Sequence, residues 1–286
     1  MKLIRQQACV ALLAASGWFL LPPPKALAGQ PSEVFPVGET LVYEVRWDPP
    51  LWMFFLPTMT AGEMTLRFNE MIRHEGQPAY KITADAVSSG FLPKLTGVTI
   101  KDYFESIVDS RDFCSVKMTK ITREGKRHRD VFLTFDRKNG TGHYLAYDVG
   151  KDPPVELKNE SVKGIPPCVQ DLLSAIYHTR LQGLKVGEIY PVVISDNGQV
   201  KRVEVKVQKR ELVQAAAGNF EALKVETVSV FGGLFKGGGT FFVWVSDDAA
   251  RIPVKFEAKV KLGKVFGTLS RMERTLNTQL ASEARR

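Results

Sequence analysis

Thr40-Leu41-Val42-Tyr43-Glu44-Val45-Arg46-Trp47 sets the reading of this chain. Leu41, Tyr43, Val45 and Trp47 fall on one face of an extended strand. Thr40, Glu44 and Arg46 fall on the other. Period-two alternation of this kind marks a half-buried β-strand. The pattern recurs at 63–68, 79–86, 101–108, 115–122, 130–136 and 141–147. It returns at 189–195, 199–212, 220–230, 239–245, 253–261 and 267–275. Turn-forming residues punctuate the runs: Glu75-Gly76, Glu124-Gly125, Lys138-Asn139-Gly140, Asp196-Asn197-Gly198 and Ala217-Gly218-Asn219. Asn139-Gly140 and Asn197-Gly198 carry the strongest hairpin signal, because a two-residue type I′ turn needs positive φ at both central positions.

One segment breaks the pattern. Cys168 to Leu181 places Leu172, Leu173, Ile176, Tyr177 and Leu181 at helical spacing, with Pro166-Pro167 before it and Gly183 after it. Proline suits a helix start and glycine a helix stop, so a helix is predicted over 168–181. The strands on either side form two similar halves, about 33–150 and 184–275. Val37-Gly38-Glu39 opens the first and Val186-Gly187-Glu188 the second. The expected fold is therefore mainly β: one domain over 29–275, an antiparallel curved sheet or open β-barrel built from two similar halves. The central helix covers one opening or one edge, and a polar tail occupies 276–286.

The first thirty residues are an address. Lys2 and Arg5 precede the apolar run Ala8 to Leu21, three prolines follow, and Ala26-Leu27-Ala28 has the small-x-small pattern of a cleavage site. This is a signal peptide with cleavage expected after Ala28, which places the mature chain in the periplasm or outside the cell. Cleavage removes three of the 39 basic residues and none of the 31 acids, so the net charge falls from +8 to +5. That balance suits approach to an anionic membrane surface. No nucleic-acid motif accompanies it, and nucleic acid is not expected as a partner. Cys114 and Cys168 remain of the three cysteines. In an oxidising compartment they either form a disulfide or stay as two separate buried thiols. No CxxC or HxxxH occurs and the four histidines are scattered, so neither a metal site nor a cofactor is expected.

Three segments have the wrong composition for solvated loops. Pro49 to Met59 contains Leu51-Trp52-Met53-Phe54-Phe55-Leu56. Gly90 to Gly97 contains Phe91-Leu92. Val230 to Gly239 contains Phe231 and Phe235 among glycines. The glycine run has no Lys-Ser/Thr after it and no strand–helix context, so it is no phosphate loop. If the three segments meet at one end of the barrel, they rim an apolar mouth for a lipid or acyl chain. Trp52, Phe54, Phe55, Phe91, Phe231 and Phe235 are then the candidate contacts. The first segment could instead be a lid, a membrane tip or a core plug. Arg123 to Arg129 is a basic hairpin, read as a solvated turn or a phosphate contact. Asp171, Ser174 and His178 share one helix face, but no Gly-x-Ser-x-Gly elbow supports a nucleophile. Asp247-Asp248 and Asp109/Asp112 are candidate acid/base pairs sitting where Asp is common in turns.

Several ordered motifs resemble one family. Val37 to Tyr43 with Ala61-Gly62-Glu63, Asp171 to Tyr177 with Arg180, and Trp244 to Asp248 with Arg251-Ile252-Pro253-Val254 are similar to the domain-of-unknown-function 3108 family of exported bacterial proteins. The resemblance spans roughly 33–272. It implies a secreted or periplasmic β-rich domain, with no assigned activity and no catalytic residues. The apolar insertion 49–59 departs from it, since a short hairpin turn is expected there. The functional expectation is a non-enzymatic envelope protein that binds an apolar or amphipathic envelope component or an envelope-assembly partner. The alternatives are a scaffold pairing a strand edge with a partner, or a glycan or lipid hydrolase.

Overall fold

The computed structural model describes residues 34–53, 55–90, 93–94, 97–227, 241–259 and 263–274. Eight strands precede the helix: β1 (Glu39–Asp48), β2 (Met59–His74), β3 (Gln77–Ser88), β4 (Lys101–Asp109), β5 (Ser115–Glu124), β6 (Arg127–Asp136), β7 (Thr141–Asp148) and β8 (Val155–Lys163). Six follow it: β9 (Ile189–Asp196), β10 (Gln199–Ala215), β11 (Gly218–Thr227), β12 (Phe241–Ser246), β13 (Pro253–Lys259) and β14 (Lys264–Glu273). The helix, α1, is Leu172–Arg180. All fourteen strands form one antiparallel sheet that does not close into a barrel.

Sequence neighbours pair throughout except β8 and β9, and β1 also pairs with β14. The chain therefore runs out from the centre as one meander and returns from the far edge as a second. β8 and β9 are the two edges. β8 escapes the alternation rule because Val-Glu-Leu-Lys-Asn-Glu-Ser-Val-Lys buries only Val162 along its length. An edge strand with both faces wet has no buried side to write a period-two pattern, and its charges discourage further pairing. On β9, Pro191 lacks an N–H, as suits an edge. Gln170 pairs with its free side, donating to the Val193 carbonyl at 2.8 Å and accepting from the Ser195 N–H at 2.8 Å. The β9–β10 tip leans across β5–β7: Lys120 bridges to Asp196 at 3.0 Å, and Val200 packs with Met118, Leu133 and Tyr144.

That pairing shortens the predicted helix. Gln170 bridges β9, the Val169 carbonyl accepts from the Ser115 N–H at 2.9 Å, and Asp171 caps α1 in an extended conformation. Cys114 and Cys168 are joined across this join, with Cα atoms 5.2 Å apart. Asn197-Gly198 makes the expected turn, with φ of 51° and 75°. Asn139-Gly140 does not, since only Gly140 has positive φ. The Asp136 carboxylate instead accepts from the Asn139 backbone at 3.1 Å and its side-chain amide at 2.6 Å, which builds a longer turn over 137–140.

Antiparallel pairing puts alternate connections at opposite ends of the sheet. The segments after β1, β3, β5, β7, β9, β11 and β13 leave from one end, here the loop end. The other end holds α1 and the β12–β13 turn. The main core surrounds α1: Leu173, Tyr177 and Leu181 pack with Phe35, Leu41, Tyr43, Phe68, Ile82 and Leu269. Expelling this apolar surface from water is the main stabilising term of the fold.

Candidate functional site

The site is built on α1, which is anchored at both ends by buried charge. At its start the Asp171 carboxylate accepts from the backbone N–H of Leu173 and Ser174 at 2.8 and 2.9 Å. It also accepts from the hydroxyls of Ser106 and Ser115 at 2.5 and 2.6 Å. Burial pushes this carboxyl up, and those four donors oppose the shift. Ser174 returns the cap by accepting from the Asp171 N–H at 2.9 Å.

At the other end Arg180, fully buried, meets Glu39 at the start of β1 through two hydrogen bonds of 2.5 and 3.0 Å. It donates to the Ala250 carbonyl at 3.0 Å. Its guanidinium carbon lies 4.7 Å from the Phe35 ring centre and 5.1 Å from that of Tyr177. The Arg274 Nε lies 3.2 Å from Glu39 as a second cation. The helix is thus pinned to β1, to the strands β4 and β5, and to the β12–β13 turn.

The face of α1 turned toward β9–β13 packs on the sheet through Leu172 and Ala175 but leaves a gap beside them. Leu172, Ala175, Ile176 and Thr179 form one wall of an apolar slot. Val192, Ile194, Val203, Val205, Val225, Val243 and Val245 form the other. The cavity between the walls is about 50 Å³. It is narrow rather than a chamber. Its two hydroxyls are already engaged: Thr179 donates to the Ala175 carbonyl at 2.8 Å and Thr227 to the Phe241 carbonyl at 3.2 Å. The walls therefore offer a ligand dispersion contact and desolvation, with little polar recognition. The slot reaches Thr227 and Phe241, where β11 ends and β12 begins at the loop end.

From Phe241 the slot's face continues across the sheet. Phe241 sits opposite Ala258, Ala258 opposite Val265, Val265 opposite Trp47, and Trp47 opposite Met59. Residues opposite in register share a face. An apolar row therefore links the slot to the root of the 49–58 segment, three strand spacings or roughly 14–15 Å away.

The sequence-predicted contacts divide. Trp52 and Phe55 are 67% and 68% exposed and lie on the loop-end segment after β1, outside the slot walls. Leu51 beside them is 95% exposed, so these three do not plug the core. Phe54, Phe91, Phe231 and Phe235 lie outside the described residues, as do the signal segment 1–28 and the tail 276–286. Topology nonetheless starts all three apolar segments from the loop end.

The catalytic alternatives do not assemble. The Ser174 hydroxyl serves the cap, while His178 Nδ1 is buried without a hydrogen-bond partner among the described residues. Asp248 is spent on the turn, accepting from Ser246, Ala250 and Arg251. Asp247 pairs with Arg210, and Asp109 and Asp112 with Arg137. In the basic hairpin, Arg123 pairs with Asp130 and Arg127 with Glu124.

A family model described as "Protein of unknown function (DUF3108)" matches residues 42–270. The chain belongs to that family. Among curated proteins none matches its sequence. The DUF3108 chain is similar to the crystal structure of a β-barrel-like protein of domain of unknown function DUF1849 from Brucella abortus. The identity is 12%, with 85% of this chain and 100% of that chain covered and a TM-score of 0.55. A Bacteroides fragilis protein with a YmcC-like fold, carrying the name of an exported protein, matches at 9% identity over 83% of this chain and 96% of that one. A Pseudomonas aeruginosa DUF1089 protein matches at 10% over 68% and 88%. Their TM-scores of 0.34 and 0.35 add nothing to the fold assignment. The Brucella likeness bears on the fold alone.

Sequence reading of this DUF3108 chain missed the slot walls. Val192, Ile194, Val203, Val205 and Val225 look like ordinary inward strand residues. A clue lay in their size. The slot-lining positions of β9–β11 are all β-branched, and the facing helix positions include Ala175 and Thr179, a combination too small to fill the gap.

Proposed function

We propose that the mature chain is a non-enzymatic exported envelope protein that holds an apolar chain, the acyl part of a lipid or a comparable amphipathic envelope component, between α1 and β9–β13. The observation that carries this reading is the slot. It is walled by aliphatic side chains and its two hydroxyls are satisfied internally, and at about 50 Å³ it takes a chain only by parting α1 from the strands. The signal-like N-terminus supports an envelope address. The strand-pairing alternative draws no support from the edges, since β8 is charged and β9 carries Pro191 and is partly covered by Gln170.

The test is native mass spectrometry of the mature protein from a periplasmic extract, without detergent. The expected result is a discrete extra mass lost on denaturation. Ala175→Trp, which fills the slot from the helix side, should abolish that mass while the unfolding temperature stays within a few degrees. A bare chain mass for the unaltered protein, with no uptake of a long-chain fatty acid or lysophospholipid offered to it, overturns the reading.

A further inference from the structure

Among the described residues, the loop end of the sheet carries the most exposed apolar cluster, and the slot's row of side chains leads to it. Leu51, Trp52 and Phe55 stand out on an uncharged segment. Large apolar side chains displayed together on a surface mark an interaction site. An aromatic pair with a leucine suits the interface of a bilayer, where indole and phenyl rings settle among the headgroups.

Charge points the same way. Among the described residues, the connections at the loop end carry Lys94, Lys126 and Lys151, all exposed, against the single acid Asp152. The connections at the other end, α1 included, hold six acids and six bases. The fold therefore sorts a mild overall positive charge into a polar asymmetry, with its positive end at the loop end that also carries the apolar tip. A second copy of this chain would bring lysines against lysines there. An anionic lipid surface would neutralise them.

From this juxtaposition we propose that the loop end docks on an anionic phospholipid bilayer, with Leu51, Trp52 and Phe55 inserted at the headgroup level and the lysines above the phosphates. Docking sets the row Trp47, Val265, Ala258 and Phe241 facing the membrane end of the slot. An apolar chain passing between bilayer and slot then crosses apolar surface rather than water. The docking stands without the slot. The passage rests on the reading under Proposed function.

The test is flotation of the mature protein on a density gradient with vesicles of phosphatidylethanolamine and phosphatidylglycerol, and in parallel with phosphatidylcholine alone. The protein is expected to float with the anionic vesicles and to be released by high salt. Leu51→Ser/Trp52→Ser/Phe55→Ser should cut the bound fraction at least tenfold with the unfolding temperature and any slot-bound mass unchanged. Lys94→Glu/Lys126→Glu/Lys151→Glu should cut it about tenfold on anionic vesicles only. This second variant touches no core and keeps the test valid should the first fold poorly. Failure of the unaltered protein to float overturns docking. So does undiminished flotation of either variant, or a dimer in solution that the triple serine variant abolishes with no vesicle binding. Flotation without any slot-bound mass leaves docking standing and removes the slot reading alone.

Discussion

Glu39→Ala should be the most damaging single change at the junction of helix and sheet. Glu39 is fully buried and faces two cations, the buried Arg180 and the partly exposed Arg274. Its removal leaves the Arg180 guanidinium with the Ala250 carbonyl and two ring faces as partners, out of reach of water. Stranding one member of a buried ion pair costs about 3–5 kcal/mol. For a chain of this size each kcal/mol moves the midpoint by about 2–4 °C, so the expected fall is about 6–20 °C. The partners are not equivalent. Arg180→Met leaves Glu39 still facing Arg274 at 3.2 Å, so it should cost less than Glu39→Ala. Glu39→Met/Arg180→Met replaces the pair with apolar bulk and should return to within about 1 kcal/mol of the unaltered chain. Urea unfolding followed by tryptophan fluorescence measures all three. A loss below about 1 kcal/mol for Glu39→Ala, or a double variant no better than the single, would refute the argument that this buried pair pins α1.

Other consequences can be checked on the same protein. Denaturing mass spectrometry should show the mature chain two daltons light until reduced. Cys114→Ala/Cys168→Ser should lose up to about 4 kcal/mol, from freeing a crosslink between residues 54 apart in sequence. Burial pushes His178 down from 6.5 to about 4, so the unfolded chain takes up a proton there before the folded one does. Its contribution to stability is full above about pH 6.5 and is lost as pH falls toward 4. His178→Leu should therefore lose about 1–3 kcal/mol less than the unaltered chain between pH 7 and pH 4.5, read as urea midpoints. Asp102 works in the opposite sense. Burial raises it from 3.8 to about 6, so its folded form keeps a proton the unfolded chain has released, and acidification through that window adds stability. Asp102→Asn should make the acid loss larger.

Most of the strands were legible because one of their faces is buried. Burial on one side of a pleated strand imposes period two, and the runs around Leu41, Ile82, Val108 and Val205 obey it. β8 was not legible, for the converse reason: Glu156, Lys158 and Glu160 meet water and leave no apolar period. The helix was legible from Leu173, Tyr177 and Leu181, but its start was not. Cys168 and Val169 take their partners from Cys114 and Ser115 and Gln170 takes its partner from β9, and no local propensity reports pairings with segments this far away in the chain. Ser174 and His178 share a helix face as their spacing says. What each hydroxyl and ring nitrogen bonds to depends on Asp171 and on neighbours far away in sequence.

The sequence by itself determined the strand-rich class, the one helix, the signal-like leader and the three apolar segments, because each is written in a local period or composition. Only the tertiary structure decided that β1 pairs with β14, that Glu39 finds Arg180 across 141 positions, and that a slot remains between Ala175 and Val225. Those outcomes depend on how two meanders curl toward each other and on how much volume their facing side chains fill. Both are properties of surfaces brought together by folding, and neither is carried by any single stretch of the chain.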